Sequence, residues 1–367
     1  MSRRVAVLVT TLLLTAAVPA SSQAAGRPPA TPVLLGEATL PSGLQFDGTT
    51  VGGLSGTAYD AENGLYYALS DDRSQFAPAR FYTLRIDLAD GDLQQGDVTV
   101  VDVTTLLGVE GLPFPAFSLD PEGLALTDDR RLVVVSEGDA VRGIAPFVRE
   151  FALDGRQLRA FEVPDYYAPT ATTGIRNNLA FESAGLTPSG KDVFTATENA
   201  LRQDGPAATT TTGSPSRILR LDVRTGQLEA EYVYRVEPVR DAPVPAGSFS
   251  TNGLVELLPL GPTRLLALER GFSVGVGNTV QLYVIDTAGA TDVSGNSPLP
   301  AGAKPVRKEL LLDLSTLGLT LDNLEALVLG PVLPDGRQSL LITSDDNFSA
   351  TQVTQVLAFA LPRPGRG

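Results

Sequence analysis

Ten side chains recur in this sequence in a pattern that could do chemistry, and eight of them are acidic. A first column holds Ser55, Glu122, Glu182, Asn252 and Glu325, each followed by a small residue: Gly56, Gly123, Ser183, Gly253 and Ala326. Roughly 15 to 20 residues further on, a second column is acidic in every copy: Asp71, Glu137, Glu198, Glu269 and Asp345. Carboxylates gathered at one place repel, and only a cation, an arginine or a proton offsets the repulsion. Hard oxygen donors in such number suit calcium, so Asp71, Asp72, Glu137, Glu198, Glu269, Glu325 and Asp345 are the expected metal ligands. Arg73, Arg176 and Arg270 lie beside the acidic positions and either neutralise them or clamp an anion such as phosphate, with Asn252 as a further substrate contact. Metal-assisted hydrolysis would also need a carboxylate to take a proton from the attacking water. Glu122 and Glu182 are the candidates, with Arg176 and Arg270 offsetting charge that develops on the phosphoryl oxygens. The structural alternative is that Glu122, Glu182 and Glu325 cap backbone amides and that the arginines simply neutralise the acids.

Composition narrows the chemistry. With no histidine, Ser-His-Asp and Cys-His triads are excluded, so Ser55, Ser70 and Ser136 are not read as nucleophiles. With no cysteine, disulfides, thiol catalysis and zinc-thiolate sites are excluded too. The only lysines are Lys191, Lys304 and Lys308, so an anionic ligand would depend on arginine and metal. A formal charge of −14 argues against nucleic acid and anionic membranes as partners. What remains is a small anionic or phosphorylated ligand, and the chain is expected to be a monomer.

The two columns need elements that bring them together. In each copy the first column opens an apolar strand, a turn follows, and a second strand runs into the acidic position. A repeat of roughly 60 to 73 residues fits one four-stranded sheet with generous loops, which reads as a β-propeller blade. Hairpin-connected strands run antiparallel, so the start of the first strand and the end of the second share one end of the blade. Five blades round an axis would gather both columns at one channel mouth. In the first blade the strands are expected at 54–59, 65–70, 80–88 and 97–103, with Asn63-Gly64 marking the first hairpin. The last repeat is one strand short, and 33–40, alone before the first repeat, is expected to complete it. Six blades would require further strands within 106–117 and 286–305. Residues 204–216, with four consecutive threonines, read as a flexible insertion in the third repeat. Asp87, Asp90, Asp92 and Asp97 lack the spacing of a calcium loop and read as an acidic hairpin.

The chain opens with Arg3-Arg4, an apolar run over 5–18 and small residues up to Ala25, the pattern of a secretory signal ending at Ser22-Gln23-Ala24. Its removal would leave 26 − 42 = −16 charges. The expected organisation is a signal peptide at 1–24, a leader and closing strand at 25–43, one all-β propeller domain at 44–361 and a tail at 362–367.

Several of these motifs resemble those of the phytase-like secreted bacterial proteins known as the "esterase-like activity of phytase" family. They are Asp120-Pro121-Glu122-Gly123-Leu124, Arg176-Asn177-Asn178 with Phe181-Glu182, Leu268-Glu269-Arg270-Gly271, and Asn323-Leu324-Glu325-Ala326 with Ser344-Asp345-Asp346-Asn347. The resemblance spans about 44–361 and implies a propeller in the style of calcium-dependent propeller phytases, whose channel mouth binds calcium and phosphate. Those phytases usually have six blades and place lysines round the phosphate, whereas five repeats occur here and no lysine stands in either column. Two functions follow: a secreted calcium-dependent hydrolase of phosphate esters, or a non-catalytic propeller that binds a ligand or protein at the same mouth.

Overall fold

The computed structural model describes residues 31–362, and the expected signal peptide lies outside them. Strand β1 (Val33–Leu40) comes first, followed by the short hairpin β2 (Gln45–Phe46) and β3 (Thr49–Thr50). The first four-stranded sheet is β4 (Leu54–Asp60), β5 (Leu65–Ser70), β6 (Arg80–Ile86) and β7 (Val98–Thr105). The second is β8 (Pro121–Leu126), β9 (Arg131–Ser136), β10 (Phe147–Ala152) and β11 (Gln157–Ala160). The third is β12 (Gly185–Leu186), β13 (Asp192–Ala196), β14 (Ser214–Asp222) and β15 (Leu228–Val236). The fourth is β16 (Ser250–Pro259), β17 (Arg264–Ser273), β18 (Gly277–Asp286) and β19 (Arg307–Asp313). The last is β20 (Asn323–Val332), β21 (Gln338–Asp345) and β22 (Thr354–Ala360), and β1 supplies its outer strand. Val33 pairs with Ala360 and Leu40 with Thr354, so the first strand of the described chain closes the ring against the last. The architecture is thus a five-bladed β-propeller. Segment 106–117 carries turns and isolated bridges and 286–305 carries turns, and neither holds a sixth blade.

Each blade is buried on both faces, which is why its middle strands are almost wholly apolar. In β9 the alternation can be followed residue by residue: Leu132 and Val134 join the apolar cluster shared with the first blade. Val133 and Val135 join the cluster shared with the third. Among the described residues five such clusters exist, one at each blade boundary, and the cluster holding Ala38, Val356, Tyr66 and Tyr82 fills the boundary where the ring closes.

Near the axis the inner strands approach too closely for ordinary side chains. A Cβ at Gly56 would stand 2.6 Å from the Glu122 carbonyl oxygen, and one at Gly123 would stand 2.6 Å from the Ser183 carbonyl carbon. The glycines that follow Ser55 and Glu122 are therefore a packing requirement of the ring. Segment 204–216 is not the loose insertion that its threonines suggest. Asp204 is buried in an ion pair with Arg217 (2.6 Å), Thr209 and Thr212 close a tight turn, and Ser214–Asp222 is strand. The acidic hairpin after β6 holds its turns through Asp87 and Asp97, which accept the amides of Ala89 and Gln94.

Gly56→Val forces backbone apart at the axis, and its stability in urea denaturation should fall by about 3 kcal/mol or more. Gly64→Ala, at an open hairpin position with nothing near its Cβ, should cost only about 1 kcal/mol through its positive φ.

Candidate functional site

The mouth is built by a repeated backbone device. The register shifts by one residue between Leu54 and Gly56, Pro121 and Gly123, Leu254 and Glu256, and Leu324 and Ala326. Each shift is a bulge that re-aims the extra residue. The bulged residues are Ser55, Glu122, Val255 and Glu325, and Glu182 holds the matching place after Phe181, which bridges Thr197. Opposite them stand Asp71, Glu137, Glu198, Arg270 and Asp345, facing Gly53, Asp120, Ala180, Gly253 and Asn323 respectively.

This register corrects the fourth blade. The sequence pattern aligns Asn252 and Glu269 with the columns, but the structure places Val255 and Arg270 there. Glu269 lies on the opposite face of β17, where it accepts hydrogen bonds from Tyr234 Oη (2.7 Å) and Asn252 Nδ2 (2.9 Å) and pairs with Lys308. Glu269 and Asn252 thus belong to a polar cluster outside the mouth. Asp72 also leaves the set. Its oxygens accept the amides of Gln75 (2.7 Å) and Ala77 (2.8 Å) and a bond from Arg80 Nη1 (2.7 Å), which organises the loop after β5. Arg176 spends its guanidinium on the Ala200 and Gly205 carbonyls, at 3.0 and 2.6 Å, and does not line the mouth.

The remaining residues converge. A cavity of about 1030 Å³ opens over Asp71, Arg73, Glu122, Glu182, Glu198, Arg270, Glu325 and Asp345. Beneath it, Asp120, Glu122 and Glu137 each bring an oxygen within 4.8 Å of the other two, and so do Glu137, Glu182 and Glu198. Glu137 belongs to both groups and also accepts the Ala180 amide at 2.7 Å, so the capping role falls to it. Asp120 was missed as a site residue, although strand alternation two residues before Glu122 puts it on the same face. Asn323, two residues before Glu325, is its counterpart and donates to Glu325 at 3.0 Å.

Two cations stand against these acids. Arg73 reaches Asp120 Oδ1 at 2.8 Å and Asn178 Oδ1 at 3.1 Å. Arg270 pairs with Glu325 at 2.5 Å, and the charges of Glu325, Glu198 and Glu182 hold its guanidinium protonated against its burial. Burial, then mutual repulsion, pushes the carboxyls of Asp71, Glu122, Glu137, Glu182 and Asp345 well above the usual range. Burial raises Glu198 to about 7 despite the opposing charge of Arg270, and Asp120 to about 6 despite Arg73. Two buried oxygens, Asp71 Oδ1 and Glu198 Oε1, have no hydrogen-bond partner. The backbone leaves room for both, since a Cβ at Gly53 would collide with Asp71 and one at Gly253 with Glu198. Buried oxygens without partners, in an all-oxygen donor set, fit a hard metal ion.

Glu256 is a buried acid of a different kind, apart from the mouth. Glu256 takes the place that Gly56, Gly123, Ser183 and Ala326 hold in the other blades, and burial keeps its carboxyl well above the usual range. It accepts the amides of Leu257, at 2.9 Å, and across the blade boundaries those of Ala184 and Leu327.

Fold and site together define a five-bladed propeller with buried acidic clusters at the mouth of its channel. The chain belongs to the phytase-like family described as "Esterase-like activity of phytase", whose model matches residues 49–348. It is similar to an uncharacterized secreted protein of Arthroderma benhamiae, with 24% identity over 232 residues, 53% of this chain and 44% of that protein. The match thus spans less than half the length of that relative. Among solved structures it is similar to the periplasmic gluconolactonase PpgL of Pseudomonas aeruginosa, at 14% identity and a TM-score of 0.37, covering 86% of this chain and 90% of that one.

The raised acids set the sign of the pH dependence. In chelator, the native protein holds protons on Asp120 and Glu198 that the unfolded chain releases from about pH 4 upward, so stability falls between about pH 4.5 and 7. Glu198 alone should contribute on the order of 3 kcal/mol to that fall, and Glu198→Gln should flatten the slope in thermal melts run across this range with EDTA.

Proposed function

We propose that the protein is a secreted, monomeric, calcium-dependent hydrolase of phosphate esters working at the channel mouth. The observation that carries this reading is the pair of partnerless oxygens, Asp71 Oδ1 and Glu198 Oε1, within a buried set of eight carboxylates that faces only two guanidiniums. Ionised and bare, such a mouth repels any phosphate, so divalent cations are what make it receptive to one. Asp120, Glu122 and Glu137 would hold one ion, and Glu137, Glu182 and Glu198 another, with Asp71, Glu325 and Asp345 round them. Bound calcium would supply charge for the phosphoryl oxygens and ease ionisation of a water molecule.

The chain's own residues do the rest. Arg270, held between Glu325, Glu198 and Glu182, keeps an unpartnered Nε inside the site. Arg73, anchored on Asp120 and partly exposed, stands at the opposite side as a donor for a substrate oxygen. Glu182 and Glu122 open on the cavity, and whichever of them is left free of an ion can take a proton from water as its oxygen bonds to phosphorus and the bond to the alcohol oxygen breaks. One water proton leaves with the alcohol and the other stays on the phosphate. Export fits the secreted relative and an environment rich in calcium.

Calcium near one hundred times its dissociation constant should stabilise the chelated protein by about 2.7 kcal/mol. Phosphate release from a panel of phosphomonoesters should require it, and Glu182→Gln should lower kcat by about 10²-fold or more. No change in melting temperature and no phosphate release with calcium present would end this reading.

A further inference from the structure

Resting on that reading, we propose that the site prefers phosphate esters of flat, apolar alcohols, such as aryl phosphates, over polyphosphorylated or polyhydroxylated ones. The floor and the wall of the cavity differ in chemistry. The charged groups are at the floor, whereas one wall carries Phe249 and Phe272, with Leu321, Leu179 and Ala208 also lining the cavity. The two phenyl rings lie 6.4 Å apart at 36°, and Phe249 is 65% exposed. An aromatic pair left open beside a charged floor is a surface that an apolar ring would cover.

Strand geometry ties this wall to the chemistry. Arg270 and Phe272 are two residues apart on β17, so their side chains leave the same face about 7 Å apart along the strand. A phosphoryl group at the arginine therefore places its ester substituent beside the phenylalanine. Thr251, the pairing partner of Phe272 on β16, and Asn278, its partner on β18, also line the cavity and add only neutral contacts. Among the described lining residues the cationic side chains are Arg73 and Arg270, and no lysine is present. An additional phosphate on a substrate would thus find no third cationic side chain among the described lining residues, and a cyclic polyol would meet two phenyl rings on this wall beside the neutral donors Thr251 and Asn278.

The test uses phosphonates, which resist hydrolysis, so that binding is read separately from turnover. By calorimetry on the calcium-loaded full protein, phenylphosphonate should bind about tenfold or more tightly than methylphosphonate. In Phe249→Ser and Phe272→Ser that ratio should fall below about threefold. Inositol hexakisphosphate should bind more weakly than phenylphosphonate. Equal affinity for the two phosphonates, an unchanged ratio in both variants, or tighter binding of the hexakisphosphate would overturn the preference while leaving the phosphate site in place. Failure of both phosphonates to bind the calcium-loaded protein would overturn the phosphate site and the preference together.

Discussion

Repulsion between carboxylates that the fold refuses to separate is the constraint on which this molecule turns. Burial pushes up the carboxyls of Asp71, Asp120, Glu122, Glu137, Glu182, Glu198 and Asp345, repulsion from neighbouring acids adds to it at all of these but Asp120, and the cations that oppose them are Arg73 and Arg270. A soluble protein has cheaper ways to cap its inner strands, as the other polar clusters here illustrate. Glu231 has both Tyr166 and Tyr167 as hydroxyl donors as well as Arg217, and Glu269 is enclosed by Tyr234, Asn252 and Lys308. The mouth lacks that provision at Asp71 and Glu198. An unsatisfied buried polar group is destabilising wherever it lies, and here such groups gather at the one place where all five blades converge.

The ring enforces the crowding. Inner strands touch backbone to backbone at Gly56 and Gly123, so the first column cannot retreat from the axis, and each bulge turns one more side chain towards it. Blade four departs from this scheme. Val255 replaces the acid of the first column, Arg270 that of the second, and Glu256 fills the axial space that glycine, serine or alanine leaves elsewhere. One blade has exchanged two anionic positions for an apolar one and a cation, and the cavity's aromatic wall rises from the same blade. The ring's asymmetry, more than its repetition, distinguishes one side of the pocket from the other.

Much of this was legible in the sequence because propeller blades impose two strong periodicities at once: the repeat itself, and apolar strands separated by turn residues. Strand β1 could be assigned to the last blade from a missing partner, and the pairing of Val33 with Ala360 bears this out. The fourth blade was misread because Asn252-Gly253 imitates the polar-small pair of the other copies, while the true bulge falls three residues later at Val255-Glu256. A bulge changes which face a residue occupies, and its position follows from hydrogen bonding between strands, to which a polar-apolar pattern is blind. Arg176 and Asp72 were misplaced for a related reason. Their partners are backbone groups of loops, Ala200 and Gly205 for one and the amides after Asp72 for the other, and loop conformation leaves little trace in residue type.

The pairing of β1 with β22 also fixes an order of events. Among the described strands β1 is the first in sequence and its partner β22 the last, and contact between such distant segments is slow to form. Until then β22 offers an open edge and the fifth sheet remains incomplete. The inner strands β4 and β20 also meet across that boundary, so Asp71 of the first blade and Asp345 of the last share one cavity only where distant parts of the described chain come together.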